Sequence, residues 1–247
     1  KALQATKYFD IFHPEYQTFL KKKLVQFGGT GIDGIVFLGN APMGIFDGVT
    51  PIALAKFQQK FGRVFHPRQA FAGEKGPRQL ASTSRLEQHR MTPPRDAGFW
   101  RWVGWRSRER LAVLRVLMGH LQDVYPKIQV SLEVSSGGLT DPLRTLVQFT
   151  EDILETQRGQ FSFLLVDVQE SKSVGGTSQL HGRSVPELLP RIATQFLKVT
   201  KDPTKIWLMM PRKLEAQRWS SGSLKDVRGD VDIPQGMGLV YDLRPFS

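Results

Sequence analysis

The chain has 247 residues, enough for one large domain with its own core, and its 40% hydrophobic and 23% charged residues are ordinary for a globular protein. It has no cysteine, which excludes a disulfide framework, thiolate metal ligands and a cysteine nucleophile. Its net charge of +11 favours an anionic partner, and no apolar run approaches the ~18 residues of a membrane span.

Reading from the start, Lys1 stands where a methionine would and no signal peptide is visible, so a processed protein or an excised fragment is expected. His13-Pro14 opens a helix, because proline at the first helical position loses no needed N–H. Gly28 closes it. The run Gly28-Gly29-Thr30-Gly31 lies between a helix and a strand, the reverse of the order a phosphate cradle needs, and reads as a stop and turn. A strand follows at Asp33–Leu38, then a helix opening at Thr50-Pro51 and stopping at Gly62. Residues 64–97 hold proline, glycine, serine and arginine without a period and read as an inserted loop. From Arg63 to Leu117 there are 12 Lys+Arg against 4 Asp+Glu, so most of the net charge sits in this stretch.

Phe99 to Val124 reads as a long helix with Leu111, Leu114, Leu117 and Leu121 on one stripe. The strand Ile128–Val134 comes next, and Ser135-Ser136-Gly137-Gly138 after it reads as a plain βα loop in preference to an anion site. One amphipathic helix is expected over Thr140–Gln157, with Asp141-Pro142 at its start, Leu143, Leu146, Val147, Ile153 and Leu154 on its apolar face and Gly159 after it. The strand Phe161–Val168 precedes a helix opened by the capping-box spacing of Ser184 and Glu187. Strands at Lys205–Met210 and Met237–Asp242 complete the pattern. All five strands read as short and mostly apolar on both faces rather than alternating, as in covered parallel sheets. Repeated βα units imply a parallel α/β sheet, closed as a barrel or doubly wound.

The five histidines show no H-x-x-x-H or H-x-H spacing, and no G-x-S-x-G elbow is present, so a metal site and a serine hydrolase are not supported. Trp100, Trp102 and Trp105 lie among Arg101, Arg106, Arg108 and Arg110. Exposed aromatics there would stack on sugars or bases, with the arginines holding anionic groups; the competing reading packs Trp102 and Trp105 on the sheet. In (β/α) barrels the chemistry sits at the C-terminal ends of strands. Here those ends offer Glu133, Asp167, Glu170 and Asp242, with Asp47 after the first strand. Glycoside hydrolysis needs two carboxyl groups, one acid and one base or nucleophile.

The run DGIVFLGNAPMGIFDGVTPIAL resembles a phrase of the form DGILFHDDA…DFEDASPEAL in the C-terminal barrel of bacterial poly-β-1,6-N-acetylglucosamine deacetylase/hydrolase proteins. The likeness continues through Trp102…Arg106-Ser107-Arg108, Asp141-Pro142, Glu170 and Gly238…Asp242, over about residues 9 to 246. It implies the second half of a (β/α) barrel that binds and cleaves biofilm polysaccharide, met in the periplasm or outside the cell. Asp47 and Glu170 match acidic positions of the family. The family's acidic pair reads Gly39-Asn40 here, after Leu38 in place of a histidine. Asparagine is no general acid and glycine brings no group. About five of eight strands are present, so an N-terminal segment or a second chain would have to complete the barrel.

The resulting expectation is a single domain over 1–247, a partial or atypical (β/α) barrel of about five parallel strands alternating with helices, with the basic insertion at about 64–97. It handles exopolysaccharide, with binding favoured over efficient hydrolysis. Asp47, Glu170 and Glu133 are the catalytic candidates. Asn40, Asp167, Asp242, Arg212, Trp102, Trp105, Arg106 and Arg108 are the ligand-binding ones. No cofactor and no metal is expected, and at +11 a neutral or anionic glycan fits better than a cationic one. One rival is an active hydrolase with relocated carboxylates, such as Glu133 with Glu170. The other is a basic assembly domain binding an anionic polymer, with nucleic acid not favoured.

Overall fold

The computed structural model describes residues 10–38, 48–67, 97–140, 142–167, 185–210 and 234–241. Within them, helix α1 (Pro14–Gly28) leads into strand β1 (Gly34–Phe37), followed by α2 (Pro51–Phe61) and the long α3 (Ala97–Val124). Strand β2 (Gln129–Ser135) is followed by three short helices, α4 (Gly137–Thr140), α5 (Pro142–Phe149) and α6 (Ile153–Gln157). Then come β3 (Leu164–Asp167), α7 (Val185–Thr200), β4 (Ile206–Met210) and β5 (Gly238–Tyr241). The five strands form one sheet in the order β1-β2-β3-β4-β5, every neighbouring pair parallel.

Local chemistry explains the helix ends. Pro14 and Pro51 stand at first helical positions, as the sequence suggests. Thr50 caps α2 by accepting the Ala53 N–H at 3.2 Å, and its hydroxyl donates to Asp10 Oδ2 at 2.5 Å. Gly62 ends α2 with φ +64°, a left-handed turn that glycine adopts without strain. Thr50→Ala removes both bonds and is expected to cost about 1 kcal/mol, read as a lower denaturant midpoint with an unchanged slope.

The strands follow one another across the sheet in chain order. A doubly wound sheet reverses direction from its first strand, whereas these strands run in sequence without reversal among the described residues. With right-handed crossovers the connecting helices fall on one face. The helix contacts agree: α1 meets α3, α3 meets α5 and α6, and α6 meets α7, in a continuous row. The sheet face beneath them carries Val130, Leu132, Val134, Leu164, Val166, Ile206 and Leu208, all buried. They form one core with Leu114, Leu117 and Leu121 of α3 and Leu189, Ala193 and Phe196 of α7. At ~25 cal/mol per Å² of apolar surface removed from water, this layer is the main source of stability.

Two expectations need correction here. The strands are not uniformly apolar on both faces: β2 alternates, with Val130, Leu132 and Val134 towards the helices and Ser131, Glu133 and Ser135 on the opposite face. The expected single helix over Thr140–Gln157 is broken into two, α5 and α6, with α4 ending at Thr140 before them. Thr150 has φ +57°, a left-handed conformation that ends α5, and Asp152 then caps α6 through the Leu154 and Glu155 N–H groups at 3.0 and 3.2 Å. Among the described residues no helix is long and apolar enough to cross a membrane.

Candidate functional site at the strand ends

The C-terminal ends of β2 and β3 place polar groups side by side. Ser135 is in register with Asp167, and the Ser136 N–H donates to the Asp167 carbonyl at 3.1 Å. Glu133, two residues before Ser135, shares its face of the sheet. Glu133 is fully buried and Asp167 is 8% exposed. Both acids that the sequence places at these strand ends are therefore largely shut away from water.

A third carboxyl group, which sequence reading missed, reaches the same place from the α5–α6 connection. Glu151 is 5% exposed, and its Oε2 accepts the Ser135 N–H at 2.9 Å. Burial raises its pKa from the usual 4.5 to about 7. The Ser135 N–H and the Arg110 guanidinium oppose that rise, and the charges of Glu133 and Asp167 add to it. Because the folded pKa lies above the unfolded one, Glu151's contribution to stability is full below pH ~4.5 and is lost as pH rises through about 7. The expected size is about 3 kcal/mol. Urea unfolding at pH 5 and pH 8 checks it: the wild type loses stability at pH 8, and Glu151→Gln flattens the difference.

Two arginines of α3 hold this connection in place. Arg106 Nη2 donates to the Val147 carbonyl at 2.8 Å, and Arg110 Nη1 donates to the Phe149 carbonyl at 3.2 Å and to Thr150 Oγ1 at 3.5 Å. They close the C-terminal end of α5, where free carbonyls and the helix dipole favour a cation. Burial pushes the Arg110 guanidinium below its usual range while Glu151 raises it. It stays charged nonetheless.

This placement overturns the ligand-binding reading of Trp102, Trp105 and Arg106, which are 0, 1 and 0% exposed. The reason is that α3 lies between α1 on one side and α5 and α6 on the other, so most of its circumference is covered. Trp102 stacks on Phe65 with ring centroids 4.6 Å apart and planes 1° apart, and Trp105 packs on Phe12 and Phe57. Arg108 and Arg101 are exposed on α3, with the Arg101 guanidinium 5.8 Å over the Phe61 ring. Asn40, Asp47, Glu170, Arg212 and Asp242 lie outside the described residues, as does most of the basic insertion. Among the described residues no group of three or more His, Cys, Asp or Glu is arranged to hold a metal ion.

Fold and site together define a parallel α/β domain with an acidic, largely buried group at the C-terminal ends of two adjacent strands. No protein-family model and no curated protein matches the chain.

Proposed function

We propose that this chain is a polysaccharide-handling domain of glycoside-hydrolase type, its sheet forming part of a (β/α) barrel, in which glycan binding outweighs hydrolysis. The observation that carries this reading is the convergence of Glu133, Glu151 and Asp167 on the ends of β2 and β3, the end of a parallel sheet where ligands bind. Glycan chemistry uses one carboxyl group that keeps its proton and one that does not, and burial is what separates them. Gly39-Asn40, in place of an acidic pair, is the reason to favour binding over efficient turnover. The net charge of +11 favours a neutral or anionic polymer over a deacetylated, cationic one. A periplasmic or extracellular location goes with this reading. The rival assembly reading loses Arg106 and Arg110 to internal roles and keeps Arg101, Arg108 and the insertion.

The test is binding and reducing-end release with neutral, anionic and cationic glycans, on the wild type and on Asp167→Asn, Asp47→Asn and Glu170→Gln. The expected result is binding of a neutral or anionic polymer, weakened about tenfold by Asp167→Asn, equivalent to about 1.4 kcal/mol, with little release. Failure to bind any glycan, or unchanged binding in all three variants, would remove the reading. Binding that falls steeply with salt and vanishes on neutralising Arg101 and Arg108 would instead support the assembly domain.

A further inference from the structure

Helix α1 and strand β1 form the outermost corner of the domain. β1 is the first strand of the sheet, and α1 ends the row of helices, with α3 as its main neighbour. Large apolar side chains scattered singly over a surface need no explanation, but a cluster does. Four of the ten exposed ones among the described residues, Phe19, Phe27, Ile32 and Leu38, fall in this stretch. Phe27 and Ile32 flank the turn Gly28-Gly29-Thr30-Gly31. Thr30 folds its hydroxyl back to the Phe27 carbonyl at 2.7 Å. Gly31 takes φ +82°, which glycine adopts without strain, and a Cβ there would meet nothing within 4 Å. The turn thus brings little side-chain bulk of its own, and Phe27 (57% exposed) and Ile32 (42%) are what its tip presents.

Cations are interleaved with these rings. Tyr16, Phe19, Lys23 and Phe27 follow one another at three- and four-residue steps, so they lie along one face of α1 over about 16 Å. Lys22 and Lys23 are exposed, and neither has an ion pair among the described residues. Lys23 Nζ lies 5.8 Å over the Phe19 ring and donates to Gln26 Oε1 at 3.1 Å, and Phe19 stacks beside Tyr16 at 6.1 Å. The acids of the stretch, Glu15 and Asp33, stand outside the span from Phe19 to Phe27. Rings that gain by leaving water, set beside uncompensated cations, match the boundary of an anionic lipid bilayer, where acyl chains take the rings and headgroup phosphates take the ammonium groups. A second copy of the chain is a poorer match, because it brings the same lysines and a net charge of +11.

We propose that the α1–β1 corner seats the chain on the surface of an anionic membrane, with Phe19, Phe27 and Ile32 entering between the headgroups and Lys22 and Lys23 held by lipid phosphates. The lysines act first, since attraction to an anionic leaflet reaches out over a Debye length, whereas apolar burial acts only on contact. The rings then hold the chain in place. A helix lying in the interface plane needs one apolar face and no spanning length. The corner shares no residue with the carboxyl groups at the ends of β2 and β3, so it acts whether or not those ends take a glycan.

The experiment is sedimentation of the full chain with vesicles of phosphatidylcholine, with and without phosphatidylglycerol. The expected result is binding to the mixed vesicles only. Phe19→Ser with Phe27→Ser is expected to weaken it about tenfold, and Lys22→Gln with Lys23→Gln about thirtyfold. All four residues are exposed, so the variants keep the fold, which circular dichroism checks. Lys198→Gln with Lys201→Gln removes the same charge from exposed positions at the end of α7 and is expected to weaken binding less than about threefold, because charges beyond a Debye length are screened. Equal losses in the two lysine pairs overturn the proposal, since binding would then follow net charge alone. Binding unchanged in the phenylalanine pair overturns it as well. So does an absence of binding to the mixed vesicles, and a dimer in analytical ultracentrifugation that the phenylalanine pair dissolves would then assign the corner to a second copy. None of these results bears on glycan binding at the strand ends.

Discussion

Trp102→Ala is expected to lower stability by about 3–5 kcal/mol, the cost of emptying a large aromatic site in a packed core. Trp102 is fully buried, stacked on Phe65, with Phe57 and Trp105 at 5.4 and 5.0 Å between ring centroids. Trp105 carries the cluster on to Phe12, at 5.6 Å, ahead of α1. One ring therefore ties α3 to α2 and to the segments beside them. For a chain of this size the loss corresponds to a fall in melting temperature of about 10 °C. The indole Nε1 is buried without a hydrogen-bond partner among the described residues, so Trp102→Phe removes an unsatisfied donor along with some volume. Its cost is expected to stay below about 2 kcal/mol. Chemical denaturation of both variants checks this. A ring that stacked on a glycan would give the opposite pattern, with binding impaired and stability kept.

The second large effect belongs to Arg110. Arg110→Ala deprives the Phe149 carbonyl of its donor and Glu151 of its facing cation, and is expected to cost about 3–5 kcal/mol at pH 8. At pH 5 Glu151 carries a proton and needs no cation, so the cost there is expected to be about 1–3 kcal/mol, the share of the unpaired carbonyl and the lost packing. Urea unfolding at the two pH values separates the terms. Combining Arg110→Ala with Glu151→Gln should abolish the pH dependence, since the double variant has no carboxylate to leave unpaired. Equal losses at both pH values would mean that Arg110 acts only through the helix end.

Much of the fold was legible because its signals are local. Four of the five strands fall inside a short apolar run bounded by turn residues and β2 passes its run by one residue, while Pro14, Pro51 and Gly62 mark helix ends through backbone constraints that need no tertiary partner. The break at Thr150 was hidden because threonine gives no warning of a left-handed turn. That conformation is held by the Arg110 bonds from a helix some 40 positions away in sequence. The Trp102 and Arg106 error has a similar origin. Their residue types suggest a surface, yet stepping back from Leu121 and Leu117 by three or four residues reaches Arg110, Arg106 and Trp102. The helical period, applied over the whole of α3, places all three on the buried stripe.

Glu133 and Asp167 were found as strand-end acids, since strand ends can be read from the sequence. Glu151 was not, because it comes to the site from a connection between two short helices, and only the folded chain brings it to Ser135. Its one sequence signal is its position where the amphipathic period of residues 142–149 gives way to that of 153–157.

The polysaccharide reading is tested most directly by titrating nitrogen-15-labelled protein with neutral and anionic oligosaccharides and following every backbone amide. The expected result is saturable shifts at Ser135, Ser136 and Asp167, at the ends of β2 and β3, with the Trp102 and Trp105 amides unmoved. Shifts confined to the exposed Arg101 and Arg108 surface, or none with any sugar, would contradict it.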